Sequence, residues 1–98
     1  MEESGGVTML KVKYSGQFKK DYKKCSKRGF DMNLLKSIVT VLAVPETLPK
    51  KNQDHDLKGN YKGFRECHIS PDWLLIYRYN GDCLELARTG THSDLFRE

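Results

Sequence analysis

Three histidines, His55, His68 and His92, and one aspartate, Asp72, are the residues of this 98-residue chain best suited to chemistry. Imidazole is the side chain whose unperturbed pKa, about 6.5, lies near neutrality, so it can take or give a proton at cellular pH. All three histidines fall in the C-terminal half, and Asp72 follows His68 in the pattern His-x-x-x-Asp-Trp. Such a set suits metal-free cleavage of RNA. The substrate's own 2′-hydroxyl attacks the adjacent phosphate and the 5′-oxygen leaves. The protein then supplies a proton acceptor, a proton donor and positive charge around the transition state. Arg65, Arg78 and Arg88 lie on strand-like runs that would support that charge. Taken singly, each histidine reads more readily as an ordinary surface or hydrogen-bonded residue.

A zinc site is the competing use of the same residues. Cys67 and His68, with Cys83 and His55, supply enough donors. Cys67 and His68 are neighbours on a strand, however, so their side chains point to opposite faces. No Cys-x-x-Cys or His-x-x-x-His pair exists, and the expectation is no metal and no cofactor. Trp73 and Phe96 are candidates for stacking on unpaired bases, a contact worth about 1–3 kcal/mol per base. Trp73 reads equally as a core residue, because plainly apolar residues follow it. Phe96 reads equally as a pin holding the C-terminal tail.

The elements that must position these residues follow from periodicity. Residues 1–8, MEESGGVT, have no periodicity and read as a flexible leader or expression remnant ahead of one domain, 9–98. From Leu10 to Tyr14 apolar and basic residues alternate, which predicts a strand with Leu10, Val12 and Tyr14 inward. Ser15 caps a helix whose apolar stripe is Phe18, Tyr22 and Cys25, and Gly29 ends it. Asp31 caps a second helix, with Leu34, Leu35, Ile38, Val41 and Leu42 at helical spacing and Pro45 as its stop. A connection this short predicts an antiparallel helical hairpin. Residues 45–62 form a long polar loop. Three strand-like runs follow, 63–69, 73–79 and 83–89, separated by Ser70-Pro71-Asp72 and Asn80-Gly81-Asp82 turns, with a short tail from Gly90 onward. The order β-α-α-β-β-β predicts a two-layer α+β fold: a helical hairpin on one face of an antiparallel meander, the other face partly open.

Composition sets the remaining bounds. The hydrophobic fraction is 38% and the net charge +4, and the three cysteines show no paired spacing that would suggest a disulfide framework. No apolar run is long enough for a membrane span, and no signal pattern opens the chain, so no membrane association and a cytoplasmic location are expected. Residues 1–50 carry ten Lys/Arg against five Asp/Glu, concentrated in Lys19, Lys20, Lys23, Lys24, Lys27 and Arg28. A basic cluster of this kind attracts RNA or an acidic protein partner, or is simply a solvated face.

Three separated stretches carry a family resemblance: Tyr14-Ser15-Gly16-Gln17-Phe18-Lys19-Lys20-Asp21, the run from Asp54 through Tyr77, and Arg88-Thr89-Gly90-Thr91-His92-Ser93-Asp94-Leu95-Phe96. Together they resemble YafQ toxins of the RelE/ParE superfamily over residues 10–96 or so. The resemblance implies a RelE-like fold and a toxin neutralised by a cognate antitoxin. It also implies ribosome-dependent, metal-independent cleavage of mRNA in the ribosomal A site. It implies catalytic positions at His55, His68, Asp72 and His92, with Trp73 and Phe96 at the RNA. His92 would be the general acid and Asp72 the base, while His55 and His68 hold the phosphate. Arg65, Arg88, Lys19, Lys20 and Lys23 are the further expected RNA contacts. Two alternatives stand beside this one. A ParE-like member would bind gyrase and need no histidine set, and a degenerate module would bind antitoxin without cutting. The chain departs from the family at Asp56, where proline is usual, and that carboxylate is expected to lie near the phosphate and His55.

Overall fold

The strand Trp73–Asn80 is apolar on both of its sides, and the rest of the molecule is arranged around it. A computed structural model describes residues 9–44, 52 and 54–96. The element order is β1 (Lys11–Tyr14), α1 (Gly16–Lys27), α2 (Met32–Ala43), β2 (His55–Asp56), a 3-10 turn (Gly59–Tyr61), β3 (Arg65–Ser70), β4 (Trp73–Asn80), β5 (Cys83–Gly90) and α3 (His92–Phe96). The five strands form one sheet in the order β1-β5-β4-β3-β2. β1 runs parallel to β5, and the other pairs are antiparallel. The expected two-layer α+β architecture is therefore the observed one. The expected leader, residues 1–8, lies outside the described residues.

Local chemistry sets the helix starts. Ser15 Oγ accepts the Phe18 N–H at 2.9 Å and donates to the Ala87 carbonyl at 2.7 Å, so one hydroxyl caps α1 and ties it to β5. Asp31 caps α2 by accepting the Asn33 N–H at 3.1 Å. In the hairpin between β4 and β5, Gly81 takes φ 63°, a value that favours glycine.

Side chains alternate across the sheet, and this sorts them into two cores. Phe18, Cys25, Leu35 and Leu42 of the helices pack with Cys67, Ile69, Trp73, Leu75, Tyr77, Leu84 and Leu86 on one face. Leu74, Ile76 and Leu95 are buried on the other, with Leu57, Tyr61, Phe64, Ala87 and Phe96 against them. The second face was expected to be partly open, and it is partly covered by the 3-10 turn and by α3, because β4 presents apolar residues both ways and neither side can be left wet. A register shift between Ile76 and Tyr77 against β5 lets both Leu86 and Thr89 meet the helix side.

Two elements and one side chain differ from the sequence reading. The long loop contains β2, only two residues long, too short to leave a periodicity. The tail contains α3, set by a capping box: Asp94 N–H donates to Thr91 Oγ1 at 3.1 Å and Thr91 N–H to Asp94 Oδ2 at 3.0 Å. Tyr14, expected inward, is 52% exposed and stacks on Phe18 with ring centroids 5.7 Å apart.

Candidate active site

The expected histidines and Asp72 come from four places in the chain: β2, β3, the β3–β4 turn and the start of α3. β2 pairs with β3 so that His55 lies opposite Glu66. On β3, Glu66 and His68 share the face turned away from the long helices, while Cys67 and Ile69 fill the helix-side core. Glu66 is only 5% exposed, and its Oε1 lies 3.5 Å from His55 Nε2 and 3.8 Å from His68 Nε2. The His68 ring meets the His92 ring edge-on, with centroids 5.6 Å apart. Asn52, buried, donates its side-chain amide to the His68 carbonyl at 2.6 Å and so fixes the strand at that point.

His92 forms the other end of the cluster. Its Nδ1 lies 2.6 Å from Asp72 Oδ1, and its backbone N–H donates to the same oxygen at 3.0 Å. These two contacts, the backbone one first, hold the Asp72 carboxyl below its ordinary range, so it is ionised and accepts only. Nδ1 therefore carries a proton, and the chemistry of the ring passes to Nε2. The geometry binds Asp72 to His92 as an orienting partner and weakens it as an independent base.

α3 is anchored from below. Asp94 takes Arg28 through both oxygens, at 2.7 and 3.0 Å, and Lys24 at 3.3 Å. The Arg28 hydrogen bond leads the causes that hold the Asp94 carboxyl far below the usual carboxylate range. Gly90 closes on this helix so tightly that a Cβ there would lie 2.9 Å from Asp94 Cβ.

The expected RNA contacts divide. Trp73 belongs to the core: it is 3% exposed, its indole N–H donates to Thr89 Oγ1 at 2.9 Å, and its ring meets Phe30 edge-on at 5.0 Å. A ring enclosed in this way has no face left for a base. Arg65 is turned to the helix side of β3, where Asp54 (3.1 Å) and Asp56 hold it and Tyr77 donates to Asp54 at 2.6 Å. Asp56 is thereby used on Arg65, on the strand face opposite His55, and not beside the phosphate as expected. Arg88 is taken by Asp21 at 2.7 and 3.3 Å, with Arg78 similarly on Glu85. All three strand arginines are thus paired with neighbouring carboxylates. Lys19, Lys20 and Lys23 stand on α1, across the sheet from the histidines. Phe96 lies one turn after His92, partly buried against Tyr61 with ring centroids 6.1 Å apart.

Glu66 is the residue that sequence reasoning missed. Its signal was present in the i, i+2 spacing to His68 on one strand, which places both on one face. Among the described residues no group of three or more His, Cys, Asp and Glu side chains is arranged to hold a metal ion. No helix among them is long and apolar enough to cross a membrane.

Known proteins share this sequence and fold. The family described as bacterial toxin of type II toxin-antitoxin system, YafQ, matches residues 10–97. The mRNA interferase toxin YafQ of Escherichia coli K12 is 47% identical over 87 residues, covering 87% of this chain and 94% of that protein. In the crystal structure of the E. coli DinJ-YafQ toxin-antitoxin complex, a chain 44% identical superposes with TM-score 0.82, covering 91% of this chain and 99% of that one. A metal-bound toxin from Helicobacter pylori, 47% identical, superposes with TM-score 0.84, covering 90% of this chain and all of that one. By sequence, by fold and by the extent of both matches, the chain belongs to the YafQ family of type II toxin–antitoxin toxins.

Proposed function

We propose that this toxin is an endoribonuclease that cleaves mRNA in the ribosomal A site, without a metal, and that a cognate antitoxin neutralises it. The reading is supported by one observation above the others: four separate elements converge on His55, His68, His92 and Asp72. The relative named mRNA interferase and the complex with DinJ supply the substrate class and the kind of partner.

In this reading His92, kept in one orientation by Asp72, protonates the departing 5′-oxygen from Nε2. Asp72 stabilises the imidazolium without itself taking the proton. The 2′ proton goes to the His55–Glu66–His68 side of the cluster, whose imidazoles also offset charge on the phosphate. Phe96 offers an aromatic edge to a neighbouring base.

Primer extension on translated mRNA with purified ribosomes tests the proposal. Cleavage should be abolished by His92→Ala, a loss of about 10²–10⁴-fold for one acid–base group. Asp72→Asn should leave more activity than His92→Ala, because it loosens the ring without removing it. Equal losses would return the base role to Asp72. EDTA should leave cleavage unchanged, and a strict metal requirement would sink the mechanism. Unreduced toxicity of His92→Ala in cells would sink the site.

A further inference from the structure

The strand that carries His55, β2, is two residues long, exposed, and lies at the edge of the sheet. So short a pairing cannot fix a side chain by its ladder alone. The residues on either side of His55 are both carboxylates, and one guanidinium takes both. Arg65 Nε lies 3.1 Å from Asp54 Oδ1, and its Nη1 lies 2.5 Å from Asp56 Oδ1. The hydroxyl of Tyr77, a fully buried residue, donates to the same Asp54 oxygen at 2.6 Å and ties this bridge to the core. Side chains alternate along a strand, so pinning the residues before and after His55 to the helix side turns the imidazole to the other side. There its Nε2 meets Glu66 Oε1 at 3.5 Å.

We propose that Arg65, Asp54 and Asp56 form a clamp that positions His55 for RNA cleavage, an inference that rests on the nuclease reading above. The three stand on the face away from the imidazoles and act through His55 as positioning residues. Asp56, the departure from the family, gains a purpose in this arrangement. A proline there would restrict the preceding residue to extended backbone. Asp56 reaches the same end by charge. Its side chain is 80% exposed, so the pair with Arg65 adds little to stability and acts on orientation instead. A proline also fits the position. The Leu57 N–H donates to the Phe64 carbonyl at 2.9 Å, so by the alternation of an antiparallel ladder the Asp56 N–H points out of the sheet and no ladder bond needs it.

The test compares the unmodified chain with Asp56→Ala, Asp56→Pro and Arg65→Lys. Order at His55 is read by NMR, from relaxation of its amide and from its ring nitrogen signals. Cleavage is read as the single-turnover rate on translated mRNA at saturating toxin, beside the toxin concentration that gives half that rate. Asp56→Ala should loosen His55 and slow saturating cleavage about fivefold, with the half-saturating concentration and the melting temperature unchanged. Asp56→Pro should restore both order and rate, a rescue that a merely stabilising ion pair does not produce. Arg65→Lys keeps the charge but loses the fork that spans two carboxylates, and should be at least as loose and slow as Asp56→Ala. Glu85→Ala breaks a comparable pair with Arg78 on another strand and should leave the His55 signals unchanged. Asp56 is exposed, and well-dispersed amide spectra check that its variants stay folded. Full order at His55 in Asp56→Ala, a proline variant as loose and slow as the alanine one, or a change confined to the half-saturating concentration would each overturn the proposal. The NMR arm is blind to cleavage. An unmodified chain that cuts no RNA, with His55 ordered only while the clamp is intact, would sink the nuclease reading and uphold the clamp.

Discussion

Two carboxylates are buried on opposite faces of the sheet, and they are treated very differently. Asp21, on the helix side, accepts from Arg88 twice, from the Thr89 N–H at 3.2 Å and from Gln17 at 3.0 Å. Glu66, on the histidine side, has two imidazoles at 3.5 and 3.8 Å and a burial just as deep. A buried charge with every lone pair occupied fixes packing. One flanked by two imidazoles brings proton-carrying side chains together around a single carboxylate. The same alternation of side chains thus gives one sheet a buried ion pair toward one side and a cluster of imidazoles around a buried carboxylate on the other.

Substitutions should separate the two. Asp21→Ala strands Arg88, about a quarter exposed, and should cost about 3 kcal/mol in urea unfolding. A loss below about 1 kcal/mol would erase the contrast. Glu66→Gln should do the reverse, lowering ribosome-dependent cleavage about tenfold, the equivalent of about 1.4 kcal/mol, with little change in stability. Trp73→Phe removes the indole hydrogen bond to Thr89 and should cost about 1 kcal/mol of stability while leaving cleavage intact. A selective loss of cleavage would place that ring at the RNA after all. The smallest effect concerns pH. The Asp94 carboxyl is depressed in the folded chain, so its contribution is fully present above the unfolded value, about 3.9, and fades as pH falls from there toward the folded value. Arg28 is partly exposed, so the stabilisation is modest. Circular dichroism melts of Asp94→Asn and the unmodified chain should differ at pH 7, and the difference should shrink progressively as pH falls below about 4. A difference that grows in acid would reverse the sign.

The long helices and the three-stranded meander were legible because each repeats its period several times between clear stop signals. β2 and α3 were not, since two and five residues cannot establish a period, yet these two elements carry His55 and His92. The Thr91…Asp94 capping box was the available clue to α3. The parallel pairing of β1 with β5 joins residues more than seventy positions apart and leaves no local mark. The candidate set of histidines and Asp72 was legible through family resemblance, whereas Glu66 carried no motif of its own. The pairing of the strand arginines was hidden for a related reason. Composition reports a cation but not the carboxylate that folding brings beside it.

Gly90 carries a consequence for inheritance. A Cβ at this position would lie 2.9 Å from Asp94 Cβ and 3.0 Å from its Oδ2, so a larger replacement must displace Asp94, two residues beyond His92 in α3. A lineage escaping this toxin therefore has a route to silence that alters no histidine. Survivors selected under forced expression should include Gly90 alleles alongside lesions in the imidazoles.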